Sequence, residues 1–225
     1  MIKPLLDLLF PKVCSSCDAP LYSGEVVLCT PCRHDLPLCD WKNPKDNLIT
    51  DKLRGRVDLN YADALLYFEK RNKTQSLIHD LKYKKQEHIS SYLGQWQASK
   101  LKTEKWANQI DVIVPVPLHY KRLKDRGYNQ VDGYARELSN VLGCAYDDTL
   151  LKRKQYSRTQ VFKNRLSRTD VIEHNFTLNP TQKYEGKHIA LADDLITTGA
   201  TAEACFLELL KIKDVKLSML VMAVA

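Results

Sequence analysis

The sequence predicts an α/β fold: a parallel sheet flanked by helices, with a small cysteine-bearing module ahead of it. Three observations carry this expectation. Residues 189–192 are apolar throughout and 215–224 almost so, the pattern of strands covered by helices on both faces of a parallel sheet. Helical spacing over 74–83, 87–100 and 129–142 alternates with the strand-like runs 62–68, 110–114 and 189–192. Two closely spaced cysteine pairs are confined to the first 45 residues. The chain is therefore divided into a metal-binding module over 1–45, a linker over 46–60 and an α/β domain over 61–225.

With 225 residues, 44% hydrophobic and 27% charged, the chain has room for one core and a small appendage. No apolar run reaches the ~18 residues that a membrane-spanning helix needs. The excess of 34 Lys and Arg over 27 Asp and Glu gives +7, which suits an anionic partner such as a nucleotide, pyrophosphate or nucleic acid without choosing among them.

From the amino end, residues 1–10 form a short apolar stretch broken by Pro4 and Asp7, with no small-residue cleavage site, so no secretory signal is expected and the compartment is read as cytoplasmic. Cys14 and Cys17, then Cys29 and Cys32, form two C-x-x-C knuckles separated by eleven residues. Each knuckle presents two thiolates and the loop between them folds back, which suits one tetrahedral ion. Zinc is the expected metal, in a double zinc-ribbon-like module; a disulfide framework is the alternative. A four-thiolate site leaves no open position for water, so its role is structural. Cys39 is a spare candidate that competes with Cys32 if the second knuckle pairs otherwise, and His34 reads as a surface residue. Cys144 and Cys205 read as buried thiols among apolar neighbours.

The stretch 37–60 is polar and broken, with Pro44 and Gly55, and reads as linker. A strand over 62–68 and a helix over 74–83 follow. Lys82, Tyr83, Lys84 and Lys85 close that helix, either as a hood over a ligand or a nucleic-acid track, or as a solvated helix end. Trp41, Trp96 and Trp106 suit base stacking in one reading and core packing in the preferred one. After the helix at 87–100, the strand at 110–114 runs into Pro115 and Pro117. Proline cannot donate to a ladder, so pairing stops near Pro115 and the chain leaves in a restricted conformation. Lys121, Arg122, Lys124 and Arg126 place four cations within six positions. These converge on a diphosphate, Arg by bidentate hydrogen bonds and Lys as a point charge, unless they are merely a solvated basic helix start. A helix over 129–142 ends at Gly143.

The strand at 189–192 is expected at the centre of the sheet. Asp193 and Asp194 leave its carboxyl end, where open α/β sheets bind ligands, and two adjacent carboxylates accept hydrogen bonds from vicinal ribose hydroxyls. Thr197, Thr198, Gly199, Ala200 and Thr201 carry no bulky side chain. Their N–H groups and hydroxyls close around a phosphate at the start of a helix marked by Ala204, Leu207, Leu210 and Lys211. A plain strand-turn-helix with one capping residue is the alternative, but a cap gains nothing from a second carboxylate.

This segment resembles the phosphoribosyl pyrophosphate motif of type I phosphoribosyltransferases, with Ala192 where Val is usual. Several base-salvage members carry a general-base carboxylate where this chain has Thr197, so binding is expected and the catalytic residue stays unknown. The run Pro115-Val116-Pro117-Leu118-His119 through Lys121, Arg122, Arg126, Gly127, Tyr128, Asn129 and Gln130 resembles the hallmark of the ComF family, the ComFC/GntX-like competence proteins. Arg158, Gln160, Arg165, Asn175 and Phe176 agree with it and are implied to line or brace the cleft. The resemblance implies a type I phosphoribosyltransferase-like sheet, a ligand of phosphoribosyl pyrophosphate or a related ribose phosphate bound with Mg²⁺, and structural zinc. It implies a role in natural transformation, handling incoming single-stranded DNA beside a competence helicase. Two further readings stay open: an active phosphoribosyltransferase, and a regulator that senses phosphoribosyl pyrophosphate.

Overall fold

The computed structural model describes residues 11–154, 176–179 and 182–225. In chain order its elements are α1 (Thr30–Asp35), α2 (Leu48–Leu53), β1 (Tyr61–Tyr67), α3 (Lys73–Tyr83), α4 (His88–Leu101), β2 (Val112–Pro115), α5 (Tyr120–Arg126), α6 (Asp132–Leu142), β3 (Ala145–Tyr146), β4 (Leu151–Arg153), β5 (Phe176–Leu178), β6 (His188–Ile196), α7 (Ala200–Leu209) and β7 (Lys216–Val224). Five strands form one sheet in the order β1-β7-β6-β2-β3, and every pairing in it is parallel. The α/β class expected from the sequence is the class observed, with β6 at the centre. β4 and β5 form a separate antiparallel pair.

Both faces of the sheet are covered, which explains the unbroken apolar strands. Val112, Val114, Ile189, Leu191, Leu217, Met219 and Val221 pack on one side with Ile49 and Leu53 of α2 and Ala202, Cys205, Phe206 and Leu209 of α7. Alternate residues Ile113, Ala190, Ala192, Leu220 and Met222 pack on the other with α3, α4 and α6. Each fully buried Leu or Ile contributes about 1.5–3 kcal/mol of transfer free energy. Helices α4 and α6 approach closely at Gly94, where a Cβ would lie 2.7 Å from the Tyr134 carbonyl oxygen. Ser90 on α4 donates to the Gln130 carbonyl at 2.6 Å and accepts from the Tyr134 N–H at 2.8 Å, which fixes the entry to α6.

Three local expectations are revised. The central strand does not end at Ala192; β6 continues to Ile196, so Asp193 and Asp194 lie within it and Asp193 pairs with Val221. The segment 46–60, expected as linker, contains α2, whose Asn47 accepts from Ile49 and Thr50 in a capping box. Ile49, Leu53 and Val57, spaced by four, bury that segment against the sheet. The basic run after Pro117, read as leaving the sheet in a restricted conformation or as a helix start, is the seven-residue helix α5. The tryptophans have packing partners: Trp106 stacks on Tyr61 at 5.0 Å, Trp41 donates to the Tyr67 hydroxyl, and Trp96 lies under Arg33. Among the described residues no helix is long and apolar enough to cross a membrane.

Candidate functional site

At the carboxyl end of β6 the sheet opens into a cavity of about 220 Å³. β6 supplies Asp193, Asp194 and Leu195; the exit from β2 supplies Val116, Pro117 and Leu118; α3 supplies Lys82 and Tyr83; α5 supplies Arg122 and Arg126. Gln130, Arg153 and Thr201 complete the wall. Of the residues singled out from the sequence, Asp193, Asp194, Thr201, Pro117, Arg122 and Arg126 therefore converge. Thr197, Thr198, Gly199 and Ala200 form the adjoining turn into α7. Lys121 is not in the wall, because on α5 only Arg122 and Arg126, one helical turn apart, share the inward face.

Both carboxylates are buried, and the chain already engages them. Asp194 accepts from Lys82 Nζ at 2.8 Å and from Gln130 Nε2 at 2.7 Å. Gln130 in turn accepts from Arg126 Nη1 at 2.7 Å, so the cation of α5 is coupled to the acid of β6 through one amide. Asp193 accepts the N–H of Asp194 at 2.8 Å. Burial, reinforced by repulsion from Asp194, pushes the Asp193 carboxyl far above the usual carboxylate range, while Lys82 and Arg153 pull against that rise. Burial and the neighbouring Arg122 lower Arg153 from its ordinary value. The site is thus a short acidic floor under four cations, Lys82, Arg122, Arg126 and Arg153.

The turn beside it, 197–199, leads directly into α7. Gly199, the residue before α7, is left-handed at φ +82° and has no side chain to cap the helix. The Ala200 N–H reaches Thr198 Oγ1 at 3.4 Å, and the other N–H groups of the first turn have no side-chain cap. Arg56 braces the turn from outside: it donates to the Thr198 carbonyl at 2.9 Å, to the Lys52 carbonyl, and to Glu203. A Cβ on Gly199 would meet Leu53 at 3.0 Å and Arg56 at 3.2 Å.

A second, outer chamber of about 330 Å³ adjoins the first and shares Lys82, Tyr83, Arg122 and Arg126 with it. Lys85, Asp125 and Tyr128 line its remaining sides.

Sequence reasoning missed Arg153, Arg56 and the bridging role of Gln130. Arg153 sits on a three-residue strand with no periodic signal, and Arg56 lay in the presumed linker. Arg158, Gln160, Arg165 and Asn175 lie outside the described residues. Phe176 is buried in β5, with the Arg153 guanidinium 5.2 Å from its ring centre.

The four knuckle cysteines come together, their sulfurs all within 4.8 Å of one another. Cys17 and Cys29 sulfurs are 3.7 Å apart, against an edge of about 3.8 Å for a tetrahedron with the usual Zn–S length. The cluster can therefore hold a metal ion. Cys39 is elsewhere, buried against the sheet with its N–H on the Leu65 carbonyl, and His34 is exposed beside Asp35.

No family model matches the chain. Over 129 residues it is 33% identical to the DNA utilization protein YhgH of Escherichia coli strain K12 and 30% identical to Competence protein F of Haemophilus influenzae. In each case the match covers 56% of this chain and 56% of the relative, so the chain aligns with about half the length of the curated relatives. Among solved structures, adenine phosphoribosyltransferase from Leishmania tarentolae is 12% identical over 82% of this chain and 94% of that one, at a TM-score of 0.39. Glutamine phosphoribosylpyrophosphate amidotransferase from B. subtilis is 14% identical over 63% of this chain and 30% of that one, also at 0.39. At such scores the sheet order and the site geometry above stand on their own.

Proposed function

We propose that the chain, which is similar over about half its length to DNA utilization protein YhgH and Competence protein F, is a cytoplasmic DNA-handling protein of natural transformation of the ComF type whose cleft binds phosphoribosyl pyrophosphate or a related ribose phosphate. One observation supports this reading above the rest: two buried carboxylates lie between four cations and the start of α7. In this reading the 5′-phosphate sits on the turn at Thr197, Thr198, Gly199, Ala200 and Thr201. Asp193 and Asp194 accept the ribose hydroxyls, with Asp194 exchanging its contact to Lys82 or Gln130 for the sugar. Arg122, Arg126 and Arg153 neutralise the diphosphate. Mg²⁺, when bound with the diphosphate, offsets part of its charge. The four cysteines hold Zn²⁺ in a closed, structural site that braces the amino-terminal module.

Thr197 stands exposed where a general base is wanted, so the cleft is read as a binding site, with single-stranded DNA and a competence helicase as the partners its kinship suggests. Calorimetric titration with phosphoribosyl pyrophosphate and Mg²⁺ is expected to show one site per chain. Asp193→Asn with Asp194→Asn is expected to weaken it about tenfold or more; unchanged affinity sinks the ribose assignment. No pyrophosphate release is expected across a panel of nucleobases, and release with any of them converts the reading to phosphoribosyl transfer. Single-stranded DNA affinity is expected to fall steeply with salt as phosphate neutralisation releases counterions; affinity indifferent to salt removes direct DNA handling.

A further inference from the structure

The four sulfurs of the cysteine cluster do not share one environment. Cys14, Cys29 and Cys32 are buried in the core cluster that also holds Leu77 and Leu81 of α3. The backbone N–H groups of Ser16, Cys17 and Cys29 are directed at the Cys14 sulfur and shield it further. Cys17 is exposed. Ser15, Ser16 and Asp18 on either side of it line an open groove of about 420 Å³, with Arg71, His79 and Lys84 opposite. Solvent therefore reaches the cluster at one corner, and that corner is Cys17.

Cysteine oxidation follows thiolate character and access. In a four-thiolate metal site every sulfur is deprotonated, so access alone ranks them. The Cys29 sulfur lies 3.7 Å from that of Cys17, within reach to resolve an oxidised Cys17. We infer that Cys17 is a redox-modification site, oxidised by a peroxide and resolved by Cys29 into a Cys17–Cys29 disulfide with release of the metal. This assignment rests on the reading of the four cysteines as a Zn²⁺ site. The Cys17 thiolate attacks one peroxide oxygen, the O–O bond breaks and hydroxide leaves, giving a sulfenic acid. The Cys29 thiolate then attacks the Cys17 sulfur, the S–O bond breaks and a second hydroxide leaves. The two thiolates together give up two electrons, and the peroxide is reduced to two hydroxides that take protons from the medium. The disulfide removes half the ligand set, which a closed tetrahedral site does not survive. Cys29 is the residue before α1, and Asp35 at the far end of α1 holds Lys73 of α3. Drawing the Cys29 sulfur out toward Cys17 therefore loosens the support of α3, whose other end supplies Lys82 to Asp194.

Hydrogen peroxide titrated into the zinc-loaded full chain tests this, with zinc release followed by a chromogenic chelator and the thiols mapped by alkylation and mass spectrometry. Release is expected in step with a mass loss of two hydrogens and a Cys17–Cys29 cross-linked peptide. Cys39, Cys144 and Cys205 are expected to stay alkylatable after unfolding, and dithiothreitol with added Zn²⁺ to restore the starting state. Cys17→Ser deletes a ligand, so the decisive variant is Cys17→His, which keeps a fourth zinc ligand and removes the oxidisable sulfur. It is expected to slow release about tenfold or more. Cys29→His is expected to leave Cys17 reactive, with oxygen added there in place of the cross-link. Release from Cys17→His at the parent rate, or a first cross-link between another pair, overturns the assignment. Zinc retained while Cys17 and Cys29 are joined overturns the release step. A chain that carries no zinc as purified places the fault in the metal reading, and the peptide map then still decides whether Cys17 is oxidised first. The oxidised chain is expected to bind ribose 5-phosphate about fivefold more weakly. If the untreated chain does not bind that sugar phosphate, the cleft reading is at fault, and the zinc and mass readouts still decide the fate of Cys17.

Discussion

Asp193, proposed above to hold the ribose, carries a cost in the free protein. Its folded pKa is raised, by burial first and Asp194 second, so the group favours folding while protonated. That contribution is full below the unfolded value of about 3.9 and is lost as pH rises toward the folded value. Asp193→Asn cannot ionise and escapes the loss. The variant's melting temperature relative to the parent is therefore expected to rise between pH 5 and pH 8, by at least about 1 kcal/mol or ~2–4 °C, while its ribose-phosphate affinity falls. Thermal melts at the two pH values check this, and a pH-independent difference contradicts the raised pKa. The doublet stood out in the sequence because two adjacent acids interrupt an otherwise apolar run. Gln130 and Arg153 were not legible: Gln130 meets Asp194 across 64 positions, a distance that only the folded sheet closes.

At the scale of elements, legibility followed length and two-sided burial. β6 and β7, each nine residues and buried almost throughout, were readable as apolar runs, although β6 extended past the acids because Leu195 and Ile196 continue its pairing with β7. β3, β4 and β5, of two or three residues, are too short to show a period. α2 was hidden in polar sequence, yet it shapes the turn at Gly199, since Leu53 and the following Arg56 lie against that residue. Replacing Gly199 by Ala introduces a Cβ into that contact and strains a left-handed residue, at an expected cost of about 1–2 kcal/mol. Arg56→Ala removes the brace on Thr198 without that clash. It is expected to weaken ribose 5-phosphate binding about threefold to tenfold with little change in melting temperature, because Arg56 is partly exposed; calorimetry and a melt together separate this from a purely structural effect, which would lower stability and leave affinity intact.

Across the whole molecule, α3 connects the cysteine module to the cleft. At its amino end Lys73 pairs with Asp35 at 2.7 Å, next to the knuckle helix α1. Along its length Leu77, Ile78 and Leu81 share a core cluster with Cys14, Cys29, Cys32 and Leu36. At its carboxyl end Lys82 reaches Asp194, and the Leu81 carbonyl accepts the Tyr128 hydroxyl. A module of this size buries too little apolar surface to hold its shape without a staple, so with Zn²⁺ on the four cysteines, as proposed, loss of the metal should release the surface on which α3 rests. Chelation, or Cys14→Ser with Cys17→Ser, is expected to lower ribose 5-phosphate affinity by fivefold or more as well as melting temperature. Lys82→Met should lower affinity, and melting temperature as well because it leaves the buried Asp194 without its ion pair, but should not speed metal loss. Because coupling between sites is reciprocal, saturating ribose phosphate should slow metal loss to a chelator by a comparable factor. Stopped-flow chelation with and without the sugar phosphate measures that factor directly. A rate unchanged by ligand, together with full affinity in the metal-stripped protein, would mean that α3 holds Lys82 in place through its packing on α4 and the sheet, with no contribution from the module.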